Sequence, residues 1–402
     1  EDAEANPPQL HTHDRAGRRI DQVQFHPAWH TAMRMLREQG LVALPYSDPA
    51  PGAWAAYAAG IYLHGQIEAG SLCPTTMTMA AISVLQQEPA LFATLRDKLY
   101  STEYDERDLP IAHKRSILIG MGLTEKQGGS DLRANTTRAA PIDGAGRGAA
   151  YALVGHKWFF SAPMCDAHLV LAQTEAGPSC FFVPRWRPDG ERNAIVIQRL
   201  KDKLGNHSNA SSEVEFQDAW GVMVGEEGRG IATILGMATF SRMACVMGST
   251  ALMRQALVQA IHYARQRAAF GRKLVAQPLM RNVLADMALE SEAATTLMMR
   301  LAAAFEQPDD PAQRGWSRIV MPAAKFWICK RAVALCGEAM EVFGGNGYVE
   351  TGPMARLFRE APVNSIWEGS GNVMCLDVLR AIGREPAAAR GLLQELGAAA
   401  AG

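Results

Sequence analysis

The spacing of apolar residues changes period twice along this 402-residue chain, and the two changes constrain the fold more tightly than any single motif. Up to residue 116 the spacing is helical. Trp29, Met33 and Leu36 share one face from Pro27 onward, Trp54, Tyr57, Ile61, His64 and Ile67 share another, and residues 77–85 form an apolar run that reads as a buried helix. Residues 1–8 are polar and proline-containing and read as an irregular arm. From Ile117 to about residue 225 the pattern becomes short β-like runs parted by turn residues: 117–124, 136–142, 151–160, 168–174, 180–184, 194–200 and 212–217. After residue 230 helical spacing returns. Met253, Leu257, Ile261 and Ala264 mark one stripe, and Pro278 opens a second that continues through Met298 to Phe305. Residues 319–342 form a third, stopped by Gly344-Gly345-Asn346-Gly347, and residues 371–382 a fourth. Strand and helix signals are thus segregated. The expected class is α+β, mostly α: an N-terminal all-helical domain (1–116), a central antiparallel β-barrel or sandwich (117–226) and a C-terminal four-helix bundle (227–402).

The bulk numbers narrow the function. Forty basic and 41 acidic residues leave a formal net charge of -1, which points to no polyanionic partner for the chain as a whole. No window approaches the apolar length of a bilayer span and no signal peptide opens the chain, so the expectation is a cytoplasmic protein with no membrane partner. The seven cysteines are odd in number and include no CxxC pair, which favours reduced, mostly buried thiols over disulfides or a zinc site. His26 and His30 lie four apart without a supporting acid, so no metal is expected. No complete GxGxxG, GxxxxGK[ST], HExxH or GxSxG occurs, which sets aside the Rossmann, P-loop, zincin and hydrolase readings.

Two stretches carry chemistry. In Gly120-Met-Gly-Leu-Thr-Glu-Lys-Gln-Gly-Gly-Ser-Asp131 an apolar run leads into a hydroxyl, paired glycines and a second hydroxyl, an arrangement that lets backbone N–H groups approach a phosphate. Read alone it is a strand followed by a glycine turn. Far downstream stands Val363-Asn-Ser-Ile-Trp-Glu-Gly-Ser-Gly-Asn-Val-Met374. Together the two resemble the signatures of the acyl-CoA dehydrogenase flavoproteins, and the order helices, barrel, helices extends that resemblance over nearly the whole chain.

The resemblance implies a non-covalently bound FAD and a set of site residues. Met121, Leu123 and Thr124 match positions lining the isoalloxazine, and Gly129 and Ser130 match pyrophosphate contacts. Lys157-Trp-Phe-Phe-Ser161 resembles the family strand that packs an aromatic on the ring and sets a hydroxyl near its reactive nitrogen, which gives those roles to Phe159 and Ser161, with Phe160 beside them. Arg267, Phe270 and Gln277, with Glu341, Gly344 and Gly345 of the glycine turn, match segments that reach the flavin of a neighbouring subunit. Ile366, Trp367, Ser370 and Asn372 belong to the loop that carries the base and holds the adenosine half. Glu368 matches the catalytic base: a carboxylate desolvated against an apolar wall gains the raised pKa that abstraction of a thioester α-proton requires. Arg242 matches an arginine supporting that loop. For the residues alone, the other readings are an ordinary buried strand at 158–160, a charged helix end at 265–273, a helix C-cap at 341–347 and dipole decoration at Glu368.

Finer detail resembles one branch, the AidB-like flavoproteins associated with the bacterial adaptive response to alkylating agents. Gly155-His-Lys-Trp-Phe-Phe-Ser161, Leu204-Gly-Asn-His-Ser-Asn-Ala210 and Met340-Glu-Val-Phe-Gly-Gly-Asn-Gly347 carry it. Lys126 and Trp367 stand where mainstream relatives carry proline and tyrosine. Three functions stay open: a specialised acyl-CoA dehydrogenase, a flavoenzyme acting on alkylating agents or alkylated bases, and a DNA-shielding flavoprotein. The partners implied are a homotetramer built from dimers, a small substrate of acyl-CoA type, and duplex DNA held weakly.

Overall fold

The computed structural model describes residues 1–401. The chain divides into two compact units, the first made of Glu1–Ser47 and Gly70–Ser241, the second of Asp48–Ala69 and the residues from Arg242 onward.

The first unit opens on a short helix, α1 (Asp2–Ala5), and a two-stranded antiparallel ribbon, β1 (Gln9–His13) with β2 (Arg19–Gln24). This corrects the all-helical reading of residues 1–116. The period-two signal is faint because one of the two buried positions of β2 is polar, Asp21, the other being Val23. The turn is nonetheless well specified: Asp14 Oδ1 accepts from the N–H groups of Ala16 and Arg18, and Gly17 takes φ +78°. Helix α2 (Pro27–Glu38) follows the expected stripe, burying Trp29, Met33 and Leu36, with Pro27 in its first turn and His26 capping Ala28 N. A short α3 (Leu44–Ser47) precedes α4 (Ala53–Gly65), which belongs to the second unit. The first unit resumes with α5 (Leu72–Leu85), buried almost all round, and α6 (Pro89–Tyr100).

Seven strands then build the barrel: β3 (Ile119–Gly122), β4 (Arg138–Asp143), β5 (Ala150–Ser161), β6 (Ala167–Thr174), β7 (Gly177–Pro184), β8 (Ile195–Leu200) and β9 (Ser211–Val224). The ring β4-β5-β9-β7-β6 closes through a β4–β6 pairing, with β3 added on β6 and β8 on β9. It is not wholly antiparallel as expected from the run of short strands. Both β3 and β4 pair with β6 in parallel, which the long connections through the β4–β5 hairpin permit. Tyr151, Leu153, Phe160, Val170, Phe181 and Phe216 fill one core. The α5 helix covers β3 at the other face, where Thr78 Oγ1 accepts from Ile119 N at 3.0 Å.

The second unit is helical. Helix α7 (Gly230–Gln266) contributes its residues from Arg242 onward, followed by a tight ribbon, β10 (Ala268–Ala269) with β11 (Arg272–Lys273). Then come α8 (Pro278–Phe305), α9 (Pro311–Val342), α10 (Pro353–Ile366), α11 (Gly371–Arg384) and α12 (Pro386–Ala401). The four expected helices correspond to α7, α8, α9 and α11. Helix α10 escapes sequence reading because Pro362 lies inside it, where proline normally breaks a helix. Helix α4 joins this unit through Trp54, whose ring centroid is 5.0 Å from that of Phe305 and whose N–H donates to Glu306 Oε1 at 2.6 Å. One correction concerns the membrane: by length and composition α7 is apolar enough to cross a bilayer. Its Met243, Val246, Met247, Leu252, Met253 and Leu257 are buried in the fold.

Candidate functional site

In the first unit the structure brings the 120–131 loop and the 157–161 strand together. Gly120 and Gly122 serve the barrel itself: a Cβ on them would lie 2.3 Å from the His168 ring and 2.7 Å from the Phe160 ring. After β3 the chain is pinned from below by Glu125. Its buried carboxylate accepts from Lys157 Nζ at 2.6 Å, from Thr136 N at 2.7 Å and from Thr137 N at 3.1 Å. Burial works against the Glu125 charge, yet Lys157 and the surrounding donors hold its pKa down to about 2. Burial likewise pulls the Lys157 ammonium down, to about 8, with Glu125 opposing. Trp158 N donates to Thr124 O at 2.8 Å and Asn135 Nδ2 to Leu123 O at 2.6 Å. Thr124 and the strand residues 158–161 are therefore held in fixed register.

A pairing irregularity between Lys157 and Phe160 in β5 interrupts the alternation of that strand, so Trp158 and Phe159 both face outward while Phe160 turns in. Phe160 stacks on His168 at 3.9 Å, and burial pushes that imidazole down to about 3, leaving it neutral. Phe159 is half exposed. Trp158 lies under Lys201 at 3.4 Å and Lys126 at 4.6 Å. Met121 is buried, Leu123, Thr124 and Ser161 are half-buried, and Gly129 and Ser130 are exposed. The hydroxyls of Thr124, Ser130 and Ser161 make no hydrogen bond among the described residues. Uncommitted hydroxyls beside an outward aromatic fit a polar-edged ring carrying phosphates, which is the demand FAD makes.

The second unit carries the 366–372 loop. Helix α10 ends at Ile366 and α11 starts at Gly371, with Ser370 at its N-cap position. Between them Glu368 takes φ +59° and Gly369 φ +104°. A glutamate in the left-handed region is strained, and two cations from neighbouring helices hold it there. Arg242 Nε donates to Glu368 O at 3.2 Å, and the buried Lys325 Nζ donates to Gly369 O at 2.6 Å. Arg242 is itself tied to Asp377 at 2.7 Å, which also takes Arg318 at 2.8 Å. Burial opposes the Asp377 charge, but Arg318 and Arg242 hold its pKa below the ordinary range. Trp367 Nε1 donates to Asn364 Oδ1 at 3.0 Å, fixing the indole against α10. Ile366 and Asn372 are exposed. Lys325 was not singled out from sequence; its signal is a lone charge inside the apolar run 319–329.

The remaining candidates gather at the far end of α7. Tyr263 stacks on Phe343 at 4.4 Å, which seats the 3-10 turn Gly344–Tyr348 against the start of the 265–277 segment. Gly344 has φ +59°, and Glu341, Gly344 and Gly345 are exposed. Gln277 Nε2 donates to Ala269 O at 3.0 Å and braces the ribbon. At its tip Phe270 is 95% exposed with φ +51°, and Arg267 is exposed beside it. The helix from Arg242 to Gln266 spans about 36 Å at about 1.5 Å per residue. Within one protomer, then, the Arg267 group is too far from the Glu368 loop to share one ligand ring with it. No group of three or more metal-ligating side chains occurs among the described residues.

Three family models and several known proteins match the chain. Residues 1–106 match the adaptive response protein AidB N-terminal domain, residues 120–219 the acyl-CoA dehydrogenase middle domain, and residues 228–383 the acyl-CoA dehydrogenase C-terminal domain. The putative acyl-CoA dehydrogenase AidB of Escherichia coli is 55% identical over 95% of this chain, which covers 70% of that protein. Acyl-CoA dehydrogenase family member 11 of Caenorhabditis elegans is 31% identical over 94% of this chain and 63% of its own length. The solved structure of Caenorhabditis elegans ACDH-11 in complex with C11-CoA superposes with a TM-score of 0.87 at 28% identity, over 95% of this chain and 66% of that one.

Proposed function

Since this chain belongs to the acyl-CoA dehydrogenase family, in its AidB-like branch, we propose that it is an FAD-dependent oxidoreductase in which Glu368 removes the proton α to a thioester carbonyl. FAD, when bound, supplies the hydride acceptor. Residues for holding it are present: Met121, Leu123, Thr124, Phe159 and Ser161 for the ring, Gly129 and Ser130 for the pyrophosphate, and Ser370 and Asn372 for the adenosine half. The observation that carries the reading is the strained Glu368–Gly369 turn, held by Arg242 and Lys325 at its two carbonyl oxygens. With those oxygens engaged on one side, the peptide N–H groups are aimed to the other, where one can meet a developing enolate oxygen. Strain retained by such bonding is characteristic of functional turns.

The test is anaerobic mixing of the yellow protein with a panel of acyl-CoA thioesters, watching the flavin band. Parent protein bleaches with at least one thioester, while Glu368→Gln keeps FAD and does not bleach. Equal rates for parent and variant remove Glu368 from the role of base.

The proposal extends to assembly and setting. The approximate 36 Å between the Glu368 loop and the Arg267 group, together with the bare Phe270, supports a dimer in which each flavin is shared, assembled into a homotetramer. A cytoplasmic setting accords with the seven free cysteines. A second reading is favoured by the likeness to AidB: a flavoprotein that protects DNA by acting on alkylating agents. With a net charge of -1, the chain by itself would hold duplex DNA weakly, with a shallow salt dependence. A steep salt slope in titrations of labelled duplex would contradict that.

A further inference from the structure

The first unit contains an open-mouthed cavity of about 470 Å³ that none of the residues assigned above to the flavin lines. One wall is aromatic: Phe25 and Trp29 stack with centroids 3.9 Å apart, and Tyr104 stands near them. Val23 and Met164 extend the apolar surface.

The charged residues of the lining are unequal in what they have left to offer. Asp105 is engaged by Arg107 at 2.7 Å, Asp108 by Arg185 and Arg192 at 3.0 and 2.8 Å, and Asp166 by Lys114 at 3.0 Å. Glu106 has no arginine or lysine within ion-pair distance among the described residues. It faces His30 at 3.1 Å, and the same His30 nitrogen is 2.8 Å from Tyr104 OH. Burial lowers the His30 pKa, against the pull of Glu106, so the imidazole does little to cancel that carboxylate. With Arg107 on Asp105, Lys114 on Asp166, and Arg185 and Arg192 on Asp108, Glu106 is the one acid of this lining without a lysine or arginine of its own among the described residues. The aromatic faces add to this, since a ring face attracts cations, and Arg34 already stands over Tyr104 at 5.8 Å.

We propose that this cavity is a binding site for a small organic ammonium ion, whose apolar body lies against Phe25 and Trp29 and whose charge meets Glu106. An aromatic wall with one unspent carboxylate is how ammonium compounds are recognised. An anion at the same point would meet the like charge of Glu106.

The test uses the FAD-loaded full chain and three probes of one shape: benzylamine, benzyl alcohol and benzoate. Binding is read by calorimetry and by the tryptophan emission, neither of which depends on turnover of the flavin. One benzylamine per chain is expected, bound about tenfold more tightly than benzyl alcohol, with no benzoate bound. Glu106→Gln, at a half-exposed position, should reduce the benzylamine affinity about tenfold and leave that for the alcohol unchanged. Trp29→Phe keeps a ring in the wall and should keep benzylamine binding while removing the emission change. The proposal is overturned if benzoate binds as well as the amine, if Glu106→Gln leaves benzylamine binding unchanged, or if none of the three probes binds.

Discussion

Lys157 Nζ lies 2.6 Å from Glu125 Oε1, with both side chains fully excluded from solvent, and this one ion pair joins the two stretches proposed to cradle the flavin ring. Glu125 follows Thr124 directly, and Lys157 stands four residues before Ser161. A buried pair of this kind contributes little net stability against an apolar alternative, but losing one partner is costly because the other charge stays buried. Its value here is positional. The loop cannot shift along β5 without separating the charges.

Lys157→Met should therefore cost about 3–5 kcal/mol of stability and weaken FAD retention, whereas a conservative change at exposed Lys126 should do neither. Chemical denaturation of both variants, with flavin content measured alongside, checks this. The pair also sets an acid window. The pKa of Glu125 is depressed from an ordinary 4.5 to about 2 in the fold, so its contribution is complete above pH 4.5 and is lost as pH falls toward 2. Stability of the parent should drop more steeply across that window than that of Glu125→Gln.

Much of this was legible in the sequence, for identifiable reasons. Strands β4–β9 announce themselves because β-branched and aromatic runs alternate with unambiguous turns such as Asp143–Gly148. The 366–372 loop stands out because Trp367, Glu368, Gly369 and Asn372 follow one another at fixed spacing, and the structure forms a turn there. Other features depend on contacts made across long stretches of chain. The β1–β2 ribbon hides because its inward Asp21 breaks the alternation, and α10 hides behind Pro362. Helix α4 belongs with the second unit only through Trp54 meeting Phe305 and Glu306, some 250 residues away. Lys325 is a lone charge in an otherwise apolar stretch of α9. Its role emerges once Gly369 O is found on its ammonium group.

Gly369→Ala tests the turn itself. Gly369 has φ +104°, and a Cβ there would lie 2.4 Å from Met374 Cε. Methionine is flexible and can yield, but the backbone strain stays, at about 1–3 kcal/mol. We expect FAD binding close to that of the parent and a melting temperature lower by a few degrees, with flavin reduction slowed at least tenfold. A variant that reduces at the parental rate would show that the turn's geometry does not matter to the chemistry.

Lys325→Met removes a buried donor while keeping the length and apolar stem of the side chain. The Gly369 carbonyl loses its partner, and Arg242 remains to hold Glu368 O. The expected result is a fall in the rate of flavin reduction with little change in thioester affinity, as suits a residue acting through the loop rather than on the substrate. Asp377→Asn should behave similarly, since it frees Arg242 and Arg318 together. A change confined to thioester affinity would place Lys325 in substrate binding instead.

The separation along α7 gives the most demanding test. The Glu368 loop and the Arg267 group lie about 36 Å apart by helix rise, so a flavin touched by both must draw them from two protomers. Take Glu368→Gln, which lacks the base, and Arg267→Ala, which lacks the diphosphate clamp. Each homo-oligomer should be inactive or nearly so. In a mixed two-fold dimer one site carries both lesions, and the other carries neither, because the intact Glu368 comes from one chain and the intact Arg267 from its mate. Random exchange puts about half of the dimers in mixed form with one working site of two, so activity should return to about a quarter of the parental level. The measurement is thioester-driven flavin reduction after the two variants are unfolded, mixed in equal amounts and refolded with FAD. Recovery with the mixture and none with either variant alone requires a shared site. If the mixture stays as inactive as its parts while the parent refolds to full activity, Arg267 and Glu368 do not serve one flavin.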